Sequence, residues 1–92
     1  MSLDAAQKKK LKQAAHHLKP VIRIGQKGIS DALVAETDNC LQQHELIKVH
    51  VAGEDRDARA ALGEELVARV DAQLVHRIGK VFILYRKKKA EA

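Results

Sequence analysis

A chain of 92 residues and 10.2 kDa has room for one hydrophobic core, because a domain of this size buries only about 60–65% of its extended surface. Its 46% apolar and 32% charged residues are globular proportions that exclude a disordered or fibrous chain, and its one cysteine excludes an internal disulfide framework or a thiolate-rich zinc site. The net charge of +5 points toward an anionic partner.

Leu11, Ala14, Ala15 and Leu18 follow the i, i+3, i+4, i+7 spacing of an amphipathic helix, predicted over Asp4 to Leu18. Lys19-Pro20 ends it, since the residue before a proline is steered out of the helical region. Val21 to Ile24 reads as a short strand, and Gly25-Gln26-Lys27-Gly28 as the loop that follows. Ser30 caps a second helix running to about Gln43, with Leu33, Thr37, Cys40 and Leu41 on one face. Cys40 is expected as a small buried hydrophobe. Ile47, Val49 and Val51 alternate with Lys48 and His50, the pattern of a half-buried strand. Asp55 caps a third helix to about Val70, with Ala58, Leu62, Leu66 and Val70 inward and Gly63 weakening it slightly. Gln73 to Ile78 and Val81 to Tyr85 form a hairpin through Gly79-Lys80. Val81-Phe82-Ile83-Leu84-Tyr85 is apolar on both faces and belongs inside the sheet. The order α-β-α-β-α-β-β predicts an α/β two-layer sandwich, a four-stranded sheet with helices packed on it. One domain is expected over residues 1–86, followed by a basic tail over residues 87–92.

The charge is segregated along the chain. Ala5 to Ser30 holds seven basic residues (Lys8, Lys9, Lys10, Lys12, Lys19, Arg23, Lys27) and no acid. Ala72 to Ala90 holds six more (Arg77, Lys80, Arg86, Lys87, Lys88, Lys89) and no acid, whereas Asp31 to Asp71 holds ten acids against four bases. Such sorting suggests a one-sided positive surface for a polyanion, or else solvated basic ends and nothing more.

Geometry favours the first for the N-terminal stretch. Gly25-Gln26-Lys27-Gly28 leaves a strand and enters a helix N-terminus, where bare backbone and the positive end of the helix dipole suit a phosphate. A plain strand-to-helix turn would show the same spacing. The first helix, however, should double back along the strand: Lys9 to Leu18 climb about 15 Å and Val21 to Ile24 extend about 13 Å. Its lysine end then returns to the loop, with Lys8, Lys12 and Lys19 in one stripe and His16 beside it. Phosphate contacts of this kind supply affinity and register but little sequence information. Gly79-Lys80, flanked by Arg77, can add charge near the same edge, although a plain hairpin turn is its expected single role. Gly53-Glu54-Asp55-Arg56-Asp57 is a second strand-to-helix junction, and it is acidic.

Other classes of function find little footing. Phe82 and Tyr85 are the only aromatic rings apart from histidine and both lie in the inner strand, so an exposed stacking platform is not expected. His16, His17, His44, His50 and His76 include no i, i+4 pair for a metal, and no Walker A, G-x-G-x-x-G or G-x-S-x-G element occurs. No enzyme, cofactor, metal or small-molecule substrate is expected. No apolar stretch approaches the roughly 20 residues of a membrane span, and Met1 to Lys12 lacks the apolar segment of a secretory signal. A soluble, cytoplasmic monomer with no membrane partner is expected.

Three ordered segments then carry a resemblance: Leu18-Lys19-Pro20-Val21-Ile22-Arg23-Ile24-Gly25-Gln26-Lys27-Gly28-Ile29, His44-Glu45-Leu46-Ile47-Lys48-Val49, and Ile78-Gly79-Lys80-Val81-Phe82-Ile83-Leu84-Tyr85-Arg86. Together they resemble the CRM domain (chloroplast RNA splicing and ribosome maturation), in particular its stand-alone bacterial YhbY-like members, from about Leu3 to Arg86. The resemblance implies a fold similar to the C-terminal domain of translation initiation factor three, with a mixed sheet in the order 1-2-4-3. It further implies RNA binding, with ribosomal RNA in precursors of the large ribosomal subunit as partner and ribosome assembly as the task. The family's G-x-x-G loop maps onto Gly25, Gln26, Lys27 and Gly28. The expected RNA-binding residues are these four with Lys8, Lys9, Lys12, Lys19, Arg23, Lys80 and Arg86. The alternative is a protein adaptor that docks an acidic partner, or a ribosomal protein, through its segregated charges.

Overall fold

The computed structural model describes residues 3–88. In chain order its elements are α1 (Ala5–Ala15), β1 (Pro20–Ile24), α2 (Asp31–His44), β2 (Leu46–Val51), α3 (Arg56–Arg69), β3 (Gln73–Ile78) and β4 (Val81–Tyr85). Each helix begins where a side chain accepts amides of its first turn, which have no partner within the helix. Asp4 and Gln7 form a reciprocal capping box on α1, Ser30 accepts the Leu33 amide at 3.1 Å, and Asp55 accepts those of Asp57 and Ala58. α1 stops at Ala15 instead of the predicted Leu18. The His16 and Leu18 amides close on the carbonyls of Gln13 and Ala15, and Lys19 is drawn out ahead of Pro20.

The sheet runs β1-β2-β4-β3, with β1 parallel to β2 and β4 antiparallel to both of its neighbours. This is the mixed order that the family resemblance implied. β1, β2 and β3 therefore point the same way, and the turns that follow them leave from one edge of the sheet.

The α/β class stands, but the layering changes. Ile22, Ile24, Ile47, Val49, Val51, Phe82 and Leu84 pack beneath Leu41 of α2 and Leu66 of α3. On the opposite face Val75 and Ile83 pack beneath Ala15 of α1, joined by Leu11, Leu46 and Tyr85. The expected two layers are thus three, with α2 and α3 on one face and α1 on the other. The cause lies in β4, whose residues alternate between the two clusters and are apolar on both sides, so each side needs its own cover.

Gly63 also changes its role, from a weak point in α3 to the place where α3 meets the sheet. A Cβ at Gly63 would overlap the Phe82 ring, and that ring is 1% exposed, so it has nowhere to retreat. Gly63→Ala gains about 1 kcal/mol of helix propensity but forces overpacking that costs roughly 1–3 kcal/mol, and more where neighbours cannot shift. The expected outcome is a net loss of stability, seen as a lower urea midpoint at unchanged m-value.

Candidate nucleic-acid interface

Gly25 to Gly28 form a tight turn in which the Gly28 amide donates to the Gly25 carbonyl at 3.0 Å. Gly28 needs to be glycine, because its φ is 78°. Gly25 does not: its φ is not positive, and a Cβ there would have no atom within 4 Å. The fold leaves the bare backbone at Gly25 without a structural reason, and close approach of a ligand would give it one. Gln26 and Lys27 are exposed at the tip.

Two other turns share this edge. The Ala52 amide donates to the Ile24 carbonyl at 2.9 Å, and the Val51 amide to the Lys80 carbonyl at 2.8 Å. The acidic Gly53 to Asp55 segment therefore stands between the Gly25 to Gly28 turn and the Gly79-Lys80 turn. Its charge is partly answered: Lys80 Nζ is 3.9 Å from Glu54 Oε1, and the Asp55 carboxylate caps α3. The Lys80–Glu54 pair is solvent-exposed and worth at most about 1 kcal/mol, yet it lowers the charge that Lys80 can offer an anion.

The first helix does not follow β1 as expected. α1 packs on β2, β3 and β4, which leaves Val21 and Arg23 of β1 exposed on the same face of the sheet. Its early end also breaks the predicted lysine stripe. Lys8, Lys9 and Lys12 are exposed on the helix, whereas Lys19 is exposed in the linker before β1. Lys19 and Lys27 thus flank β1 at opposite ends, separated by a strand about 15 Å long. Lys9, Lys12, Gln13, His16 and His17 line one shallow groove on α1.

Arg86 is not available to a nucleic acid. Its side chain is 7% exposed and the guanidinium is committed: Nη1 donates to the Asp38 carboxylate and to the Val70 carbonyl at 2.8 Å, and Nη2 to the Asp38 carbonyl at 3.0 Å. It ties the end of β4 to α2 and to the end of α3. A basic residue beside Lys87 and Lys88 looked like part of a surface run, and the alternation that turns it inward is visible only once the strand is placed. Of the expected tail, Lys87 and Lys88 are exposed, and residues 89–92 lie outside the described residues.

The two faces of the molecule differ in charge. α1 carries Lys8, Lys9, Lys10 and Lys12 and no acid within Ala5–Ala15. α2, across the sheet, carries Asp31, Glu36 and Asp38 and no lysine or arginine. Among the described residues, the ion pairs involve Arg69, Lys80 and Arg86. Lys8, Lys9, Lys12, Lys19, Arg23 and Lys27 take part in none, so their charges face solvent unneutralised. Helix layers on opposite faces of a sheet lie about 20 Å apart, well beyond the screening length of about 8 Å at physiological salt. The acids of α2 therefore do little to repel an anion on the α1 side. Cys40 packs against the core under α2, and burial, then Glu36, pushes its thiol up, which makes it a poor nucleophile at neutral pH.

Sequence reasoning placed Lys48 and His50 on one face of β2 but missed what that face would meet. Arg23 is in register with His50, and His50 with Val81, on the side that α1 covers only in part. The alternation in Ile47 to Val51 was the signal for their sidedness. Pro20 set the outer limit of α1, but nothing local in the chain told that it would stop as early as Ala15.

This is an α/β domain with a helix layer on each face, one of them basic, and a glycine-bounded turn at the edge of the sheet. The profile of the CRS1 / YhbY (CRM) domain matches residues 3–86, and the chain belongs to that family. It is 45% identical over 87 residues to the Pseudomonas aeruginosa protein named "Probable RNA-binding protein PA4753", covering 95% of this chain and 84% of that one. It is 42% identical over 85 residues to a Haemophilus influenzae protein named "RNA-binding protein", covering 92% and 86%. The solution structure of Staphylococcus aureus SAV1595 is similar throughout, with a TM-score of 0.82 at 34% identity over 98% of this chain and 94% of that one.

Arg86→Ala should lower stability by roughly 2–4 kcal/mol, because it strips donors from a buried carbonyl and from Asp38. Lys87→Ala, at an exposed position, should stay within about 0.5 kcal/mol of the wild type. Urea unfolding of the two variants checks this.

Proposed function

We propose that this protein binds RNA without catalysing a reaction on it, and that its target is ribosomal RNA in precursors of the large ribosomal subunit, whose assembly it assists. The observation that carries the RNA reading is the set of exposed cations on the α1 side of the sheet, Lys8, Lys9 and Lys12 on α1 and Arg23 on β1, none of which joins an ion pair among the described residues, with Lys27 exposed at the edge turn. The names of the two relatives support the same reading. The ribosomal part rests on the resemblance to the CRM domain. A single cysteine, which can form no disulfide within the chain, accords with the cytoplasm as its compartment.

In this reading the phosphate chain is held by point charges and by the backbone at Gly25, so affinity is largely electrostatic and falls as salt rises. Lys19 contributes from the other end of β1, and Lys80 contributes least because Glu54 competes for it.

The test is a salt series. The logarithm of affinity for RNA should fall linearly with the logarithm of salt concentration, and each lysine removed from a single-strand contact should shallow the slope by roughly 0.7. K12E/K27E should weaken binding strongly at low salt while leaving the unfolding midpoint nearly unchanged, since both side chains are exposed. Gly25→Ala should lose affinity without losing stability. Unaltered affinity in K12E/K27E at low salt contradicts the assignment of this surface.

A further inference from the structure

We propose that the uncovered part of the sheet face bearing α1 takes unpaired nucleotides of the bound RNA, with Arg23 and His50 as the planes on which bases stack. This rests on the RNA-binding reading above and adds to it a mode of contact that composition alone argued against.

The strand register sets Arg23 beside His50, His50 beside Val81, and Val81 beside Ile78. One row therefore crosses all four strands, about 14 Å from end to end at the usual strand spacing. α1 shields the next part of the sheet, where Ile83 is buried and Tyr85 packs beneath the helix. The row itself stays open: Arg23 is exposed, Ile78 is 57% exposed, and His50 and Val81 are half-buried. Val21, 49% exposed, extends it along β1.

Charge selects the occupant. None of the four strands contains an aspartate or a glutamate, while on this face they supply Arg23 and Lys48 together with His50 and His76. An anionic chain meets no repulsion from the strands themselves. Shape then favours a single strand over a duplex. The open row is a ledge beside a helix 10–12 Å across, and a stiff duplex resting on α1 would be held off its floor. A single strand with unstacked bases can lie on it.

Such bases need flat partners. Phe82 is buried, so no phenyl ring is available, but bases also stack on guanidinium planes and histidine rings. Arg23 and His50 are neighbours on the open face, Lys48 on β2 is placed for a phosphate, and Val81 and Ile78 continue the surface with aliphatic carbon.

The experiment titrates the full-length protein with an unstructured single-stranded RNA oligonucleotide and with a blunt RNA duplex of equal length, at one salt concentration. In R23K/H50A the charge at residue 23 is kept and both planes are lost. The ratio of single-strand to duplex affinity should fall about tenfold or more, the scale of losing one stacked base. A ratio equal to that of the wild type overturns the proposal even though both RNAs bind. Binding of neither RNA by the wild type at low salt overturns the underlying RNA reading as well. Should the variant fold poorly, photocrosslinking of the wild type to the same single strand decides: adducts in residues 20–24 and 46–51 support the ledge, and adducts confined to α1 and the Gly25 to Gly28 turn overturn it. Tighter engagement of Arg23 and His50 by polyglutamate than by RNA assigns the face to a protein partner instead and overturns it too.

Discussion

β4 is buried on both of its sides, and most of the molecule follows from that. Phe82 and Leu84 belong to one apolar cluster and Ile83 to the other, each at 1–2% exposure. A four-stranded sheet that is polar on one side can stop at two layers, but a central strand that is apolar throughout cannot. Two helices, α2 and α3, follow strands by crossover and close one face. The remaining face falls to α1, which packs there through little more than Leu11 and Ala15. Arg86, at the end of the same strand, fastens α2 and α3 by hydrogen bonds to Asp38 and Val70.

That division of cover also sorts the charge. The helix assigned to the second face is the lysine-rich one, and the acidic α2 is assigned to the first, so a segregation written along the chain becomes a segregation across the sheet. The separation of the two helix layers then exceeds the screening length, which lets one small domain carry an acidic and a basic side that act independently. α1 covers its face incompletely, because it is short and ends at Ala15. The same economy that closes the core over β4 leaves Arg23 and His50 open to whatever binds beside the helix.

Much of this was legible in the sequence. The strands of the hairpin, the caps at Ser30 and Asp55, and the interior place of β4 follow from short-range rules of alternation and capping, and the structure bears them out. What could not be read depends on packing at long range. The side on which α1 lies is decided by β3 and β4, which come at the other end of the chain, so local length-matching with β1 misplaced it. Gly63 looked like a flaw because its partner, Phe82, is distant in sequence. Arg86 looked like a surface cation because its carbonyl partners belong to helices that precede it. The turn at Gly25 to Gly28 was legible as a candidate, and Lys8, Lys9, Lys12, Arg23 and Lys27 are exposed as a binding role requires.

The central claim is that RNA meets one side of the sheet only. Backbone amide shifts of isotopically labelled protein, followed by NMR as RNA is added at low salt, test it most directly. The account predicts changes along α1 and from Arg23 through Gly28, with Glu36, Asn39 and the rest of the exposed side of α2 left still. Changes centred on α2, with Lys8 to Lys12 unmoved, contradict it.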